Sequence, residues 1–110
     1  MATTYKVLAQ NAPSATTETT LYTVPSSTST VISTVSVCNQ AGTSGTYRIV
    51  VRPAADSTTA AKHYIVYGAT VAASDSIMLT LGLTLAAGDV VRVYASSANM
   101  SFAAFGSEIS

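Results

Sequence analysis

Apolar and polar residues alternate at every second position along most of this chain, and no segment keeps a 3.6-residue apolar period through three turns. Alternation of that kind marks strands with one buried face. It is clearest in Thr46–Arg52, where Tyr47, Ile49 and Val51 share one face and Arg48, Val50 and Arg52 the other. Ser76–Leu83 groups Ile77, Leu79, Leu81 and Leu83 opposite Met78, Thr80 and Gly82. Thr30–Asn39 sets Val31, Ser33, Val35 and Val37 against Ile32, Thr34, Ser36 and Cys38. Shorter strands are expected over Thr4–Ala9, Thr20–Val24, Lys62–Tyr67, Val90–Ala95 and Met100–Phe105.

Turn chemistry separates these runs. Pro25 and Pro53 stop strands because proline cannot donate to a ladder. Asn39–Gly45 holds two glycines, Ala86-Ala87-Gly88-Asp89 is the tightest turn signal, and Ala54–Ala61 is a small-residue loop with room for one helical turn. Eight short, evenly spaced strands predict an all-β fold: a single-domain β-sandwich, jelly-roll-like, of seven or eight antiparallel strands, with no helix beyond two turns. The expected core is Val35, Val37, Ile49, Val51, Ile77, Leu79, Leu81, Val91, Val93 and Phe102. Residues 21–110 would form the sandwich. Residues 1–20 read as a strand followed by an extended arm, since Asn11–Thr17, with Pro13, has little to bury by itself and suits lying along a neighbour.

Composition narrows the function. Only 9% of the 110 residues are charged, against about a quarter in an ordinary soluble domain. Polarity comes instead from 17 threonines and 15 serines, groups that can be covered cheaply once hydrogen-bonded. Five basic and five acidic residues cancel, so there is no field to attract nucleic acid or an anionic membrane. The longest apolar stretch, Ile77–Ala87, is broken by Thr80, Gly82 and Thr84 and is too short for a helical span. Met1–Gln10 lacks the apolar core of a signal peptide. A lone cysteine, Cys38, fits folding in a reducing cytoplasm.

Little in the chain suggests chemistry. His63 is the only histidine and Cys38 the only cysteine, too few for a zinc site, so both are expected to be structural, with Cys38 a buried inert thiol. No G-x-S-x-G elbow surrounds any serine, which argues against a triad of His63 with Asp56, Asp75 or Asp89. Glu18, Asp56, Asp75, Asp89 and Glu108 fall at turns or termini and form no pair at readable spacing. No catalytic, cofactor-binding or metal-ligating residue is expected. Arg48, Arg52, Arg92 and Tyr94 are either a solvated sheet face or, with Pro13 of the arm, inter-subunit contacts, because Arg and Tyr are enriched in interface cores.

Three stretches resemble small structural proteins of tailed bacteriophages, including cyanophages: Leu21–Pro25 followed by Val31–Asn39, Ala61–Tyr67, and Leu83–Ser96. They are strand and turn patterns that carry no catalytic residues. The resemblance implies a virion component made in the host cytoplasm. The foremost reading is a capsid decoration (cement) protein on the outer capsid surface, bound to the major capsid protein and assembled as a homo-oligomer, a trimer above all. The alternative is a tail, baseplate or fibre module whose tyrosines and Ser/Thr loops meet a receptor or glycan.

Overall fold

A computed structural model describes residues 2–110; Met1, the first residue of the expected arm, lies outside the described residues. Eight strands follow one another: β1 Thr3–Asn11, β2 Thr19–Thr23, β3 Ser29–Asn39, β4 Gly45–Arg52, β5 Tyr64–Val71, β6 Ser76–Leu85, β7 Val90–Ala95 and β8 Met100–Ile109. They form two antiparallel four-stranded sheets, β1-β8-β3-β6 (sheet A) and β2-β7-β4-β5 (sheet B). Apart from the β4–β5 hairpin, each sheet of this sandwich is assembled from strands distant in sequence, which is the jelly-roll order. The one helical turn among the described residues is a three-residue 3-10 turn, Ala61–His63, so β5 starts at Tyr64 and not at Lys62.

The expected strand phases hold except where bulges reset them. In β3 the extra residue is Ser33: Ile32 pairs with Gly106 of β8, and the next partnered residue, Thr34, with Phe105. A strand that gains one residue flips its subsequent side chains to the other face. Ile32 therefore joins Val35 and Val37 in the core, all fully buried, and Val31 turns outward, the reverse of the simple alternation. Leu8 is the matching extra residue in β1, and β6 takes its own extra residue beside Gly82, whose φ of 62° favours glycine. The bulges thus line up across sheet A. At their centre the chains come so close that a Cβ on Gly106 would sit 1.9 Å from the carbonyl oxygen of Val31.

The core lies between the sheets around Ile32, Val35, Val37, Ile49, Val93 and Phe102. Six of the ten expected core residues are fully buried; Val51, Ile77, Leu79 and Leu81 are only partly buried against it, the last three because β6 is an edge strand. Polar residues close both ends of the inward row of β3. Asn39 Nδ2 donates to the carbonyls of Thr43, Val71 and Ala72, while its Oδ1 accepts the Ala41 N–H. At the other end Thr30, 1% exposed, bonds the Tyr22 hydroxyl. Asp89 joins three loops: its carboxylate accepts the Ala54 and Ala86 N–H groups, and its carbonyl accepts that of Val24.

The N-terminal segment forms the expected first strand, longer than Thr4–Ala9, and the stretch after it crosses between the sheets of its own chain. Thr3–Asn11 is an edge strand of sheet A paired to β8, and the Thr16 N–H donates to Ala95 of β7. Crossing from one sheet to the other buries Pro13 within this chain, which removes it from the interface residues proposed above.

Two consequences are measurable by urea unfolding. Ile49→Ala, at a fully buried position, should cost about 2–5 kcal/mol, and Leu79→Ala on the half-buried edge less than about 2 kcal/mol. Gly106→Ala should cost at least about 1–3 kcal/mol, since the added methyl meets backbone and not a movable side chain. Equal losses at positions 49 and 79, or a neutral Gly106→Ala, would contradict this packing.

Candidate functional site

The two outward faces of the sandwich are chemically unlike. Register places Tyr5 and Val7 of β1 beside Ser107 and Phe105 of β8, and Ser36 of β3 between Ala103 and Met78. Continuing these rows, the outer face of sheet A presents Ser, Thr, Gln and apolar side chains and, among the described residues, carries no charged residue. Tyr5 is 82%, Met78 65% and Val7 50% exposed, so this face offers large apolar groups to solvent. A shallow depression of about 500 Å³ lies on it, lined by Gln10, Asn11, Ser36, Ser101, Ala103 and Phe105 among others. Cys38 opens onto the same face opposite Ser76 and Ser101, half-buried and outside the core; β3 alternation after the bulge turns Val37 in and the thiol out.

Six of the ten charged residues gather on the other side: Glu18, Arg48, Arg52, Asp56, Lys62 and Arg92. Arg92 is tied down within the chain. Its Nε donates to Glu18 Oε2 at 2.6 Å, Nη1 to Thr20 at 2.6 Å and Nη2 to the Glu18 carbonyl at 3.0 Å. Thr59 also donates to Glu18, and Arg52 Nη1 reaches Thr59 at 3.4 Å, leaving the buried Arg52 Nε without a partner among the described residues. Burial works against ionisation of Glu18, but the Thr59 and Arg92 hydrogen bonds and the nearby guanidinium charges hold its pKa below the usual carboxylate value.

Arg48 is held differently. It pairs across the sheet with Tyr94 on β7 and Tyr67 on β5, and its Cζ lies 4.2 Å from one ring centroid and 4.4 Å from the other. The bulge at Ile65 puts Tyr64 on the same face, where it meets Tyr67 edge-to-face with centroids 4.8 Å apart. Thr59, Ala60 and Ala61 complete a shallow groove of about 500 Å³ with these two rings. Arg48, Arg52, Arg92 and Tyr94, singled out from the sequence, are collected on one face, and the cross-strand register adds Tyr64 and Tyr67 to them.

His63 is a structural pin. Its Nδ1 accepts the Ala60 N–H, which leaves Nε2 to carry the proton and donate to Asp56 at 2.8 Å. Both ring nitrogens are occupied, so neither is left to activate a hydroxyl. The bond from His63, then the Lys62 charge, keeps the Asp56 pKa low. Among the described residues no three His, Cys, Asp or Glu side chains converge at metal-binding distance.

One polar cluster closes the sandwich near the chain ends. Tyr22 donates to Glu108 while accepting from Thr30, and Lys6 Nζ lies 2.8 Å from Glu108. Burial and the Glu108 carboxylate push the Tyr22 phenol up to about 12, and the Lys6 and Tyr22 hydrogen bonds hold Glu108 low. Comparison with protein-family models, curated proteins and solved structures finds no match to this chain.

These shifts fix the pH dependence of stability. The fold favours neutral Tyr22, so that contribution is complete below the ordinary phenol value of 10.0 and is lost as pH rises through about 12. The fold favours ionised Glu18 and Glu108, so theirs is present above the ordinary 4.5 and is lost as pH falls through the lowered values. Tyr22→Phe should flatten the alkaline limb of a denaturation-midpoint profile, and Glu18→Gln with Glu108→Gln the acid limb. Unchanged limbs would contradict the assignment.

Proposed function

We propose that this chain is a non-enzymatic structural protein of a tailed-phage virion, specifically a capsid decoration protein that docks through the outer face of sheet A. The supporting observation is that this face is free of charge and displays Tyr5, Val7 and Met78 to solvent. Covering neutral hydroxyls and apolar groups avoids the desolvation cost that a charged face would carry. The resemblance of its strand and turn patterns to small phage structural proteins supports the same class.

In this role the partner is the major capsid protein and the location is the outer capsid surface. A protein that binds the assembled lattice and not its free subunits stabilises the shell by mass action. Copies acting together as a homo-oligomer, a trimer by the resemblance, multiply weak contacts into firm attachment. The hydrogen-bonded polar side, with its six charges, is left facing solvent.

Quantitative mass spectrometry of purified particles from the phage that encodes the chain tests this reading. A lattice-wide ligand should be present at on the order of hundreds of copies. A few to a few dozen would indicate a tail, baseplate or fibre module, and absence from the particle would overturn a virion role. Val7→Glu and Met78→Glu, at exposed positions, should leave folding within about 0.5 kcal/mol of the parent yet lower attachment by roughly tenfold or more. A matching change on the opposite side, Thr58→Glu, should have no effect on attachment.

A further inference from the structure

Arg48 stands apart from the other two arginines. Among the described residues no carboxylate lies within salt-bridge distance of Arg48 or Arg52, but Arg52 donates to Thr59 and feels the Glu18 and Asp56 charges, and Arg92 is neutralised by Glu18. Among the described residues none of its N–H groups donates to a protein acceptor. Tyr67 and Tyr94 hold the guanidinium from both sides at 4.4 and 4.2 Å, which fixes the group without consuming its donors. The side chain is half-buried, so the cation is both restrained and reachable.

A planar guanidinium with free donors matches a carboxylate, whose two oxygens accept parallel N–H bonds. The surroundings select what bears that carboxylate. Tyr67, 66% exposed, has the Arg48 guanidinium over its ring and meets Tyr64 at an interplanar angle of 89°, so the cation adjoins a corner of two perpendicular aromatic rings. The groove beyond it is shallow and lined only by Thr59, Ala60, Ala61 and the two tyrosines. Such a surface suits a pyranose ring, which lays its C–H face on an aromatic ring and keeps its hydroxyls in water. A polyanionic backbone would need several clustered cations; of the other basic residues on this side Lys62 and Arg92 are paired with carboxylates, and the Arg52 Nη1 is bonded to Thr59.

We propose that Arg48, restrained by Tyr67 and Tyr94, and the adjoining Tyr64–Tyr67 corner form a binding site for acidic saccharides of the uronic acid type. The site lies on the opposite side of the sandwich from the charge-free face, so it does not depend on the docking role.

Titration of the isolated protein with tetragalacturonate, followed by NMR of the arginine Nε–H and tyrosine ring signals, tests this directly. Saturable shifts centred on Arg48, Tyr64, Tyr67 and Tyr94 are expected. The fully methyl-esterified oligomer should bind roughly tenfold more weakly or worse, because it cannot accept the charge-assisted pair. Arg48→Gln should lower affinity by about the same factor, and Arg48→Lys, which keeps the charge but loses the fork, should fail to restore it. Tyr64→Ala should weaken the acid and the ester alike, since it removes only stacking. Absence of shifts at about 10 mM oligomer would overturn the proposal. So would equal binding of acid and ester, shifts centred elsewhere, or tighter binding of an Asp/Glu-rich peptide. Should Arg48→Gln unfold the protein, the acid–ester comparison on the unaltered chain decides the matter. Failure of sugar binding leaves particle copy number untouched, so the two readings fall separately.

Discussion

The close approach of β3 and β8 at Gly106 determines which way much of sheet A faces. Ser33 is squeezed out of register there, and Gly106 is the only residue type that lets the Val31 carbonyl come so near. One extra residue reverses the alternation, which brings Ile32 into the core and sends Val31 outward. The aligned bulge at Leu8 carries the same phase change to β1, while β6 takes up an extra residue beside Gly82 and so keeps Ile77, Leu79, Leu81 and Leu83 on one face. With the phase set this way, the inner row of β3 runs from Thr30 through Ile32, Val35 and Val37 to Asn39, apolar in the middle and hydrogen-bonded at both ends. What remains for the outer surface is neutral.

The separation of charge between the two faces follows from the same economy of polar groups. A chain with ten charged residues has few to distribute, and six are concentrated on the sheet B side, where most are used within the molecule. Lys6 and Glu108 close one end with Tyr22, while Asp75 and Asp89 cap backbone N–H groups in turns. Arg48 is the exception, a cation held by aromatic faces in place of an anion. That exception is what separates a structural charge network from a candidate ligand site.

Much of the fold was legible in the chain because alternation and turn residues act locally. β7 runs over the expected Val90–Ala95, and β3, β4 and β6 start within one residue of expectation. Non-local features were hidden. β8 continues to Ile109, past the expected end at Phe105, because β1 and β3 flank Ser107–Ile109. Ile32 was assigned to the wrong face because a bulge leaves no mark in a single strand. Pro13 looked free because the crossing between sheets that buries it is a tertiary contact. Arg48, Tyr67 and Tyr94 come from three strands, and only register makes them neighbours.

The proposed decoration role turns most directly on the orientation the protein would take on a virion. A cryo-electron microscopy reconstruction of the virion, at a resolution that separates the two sheets, would measure it. The outer face of sheet A should be buried against the shell, with Tyr5, Val7 and Met78 covered and Tyr67 open to solvent. A decoration density seated through the Arg48–Tyr67–Tyr94 face, or a capsid surface with no such density, would contradict it.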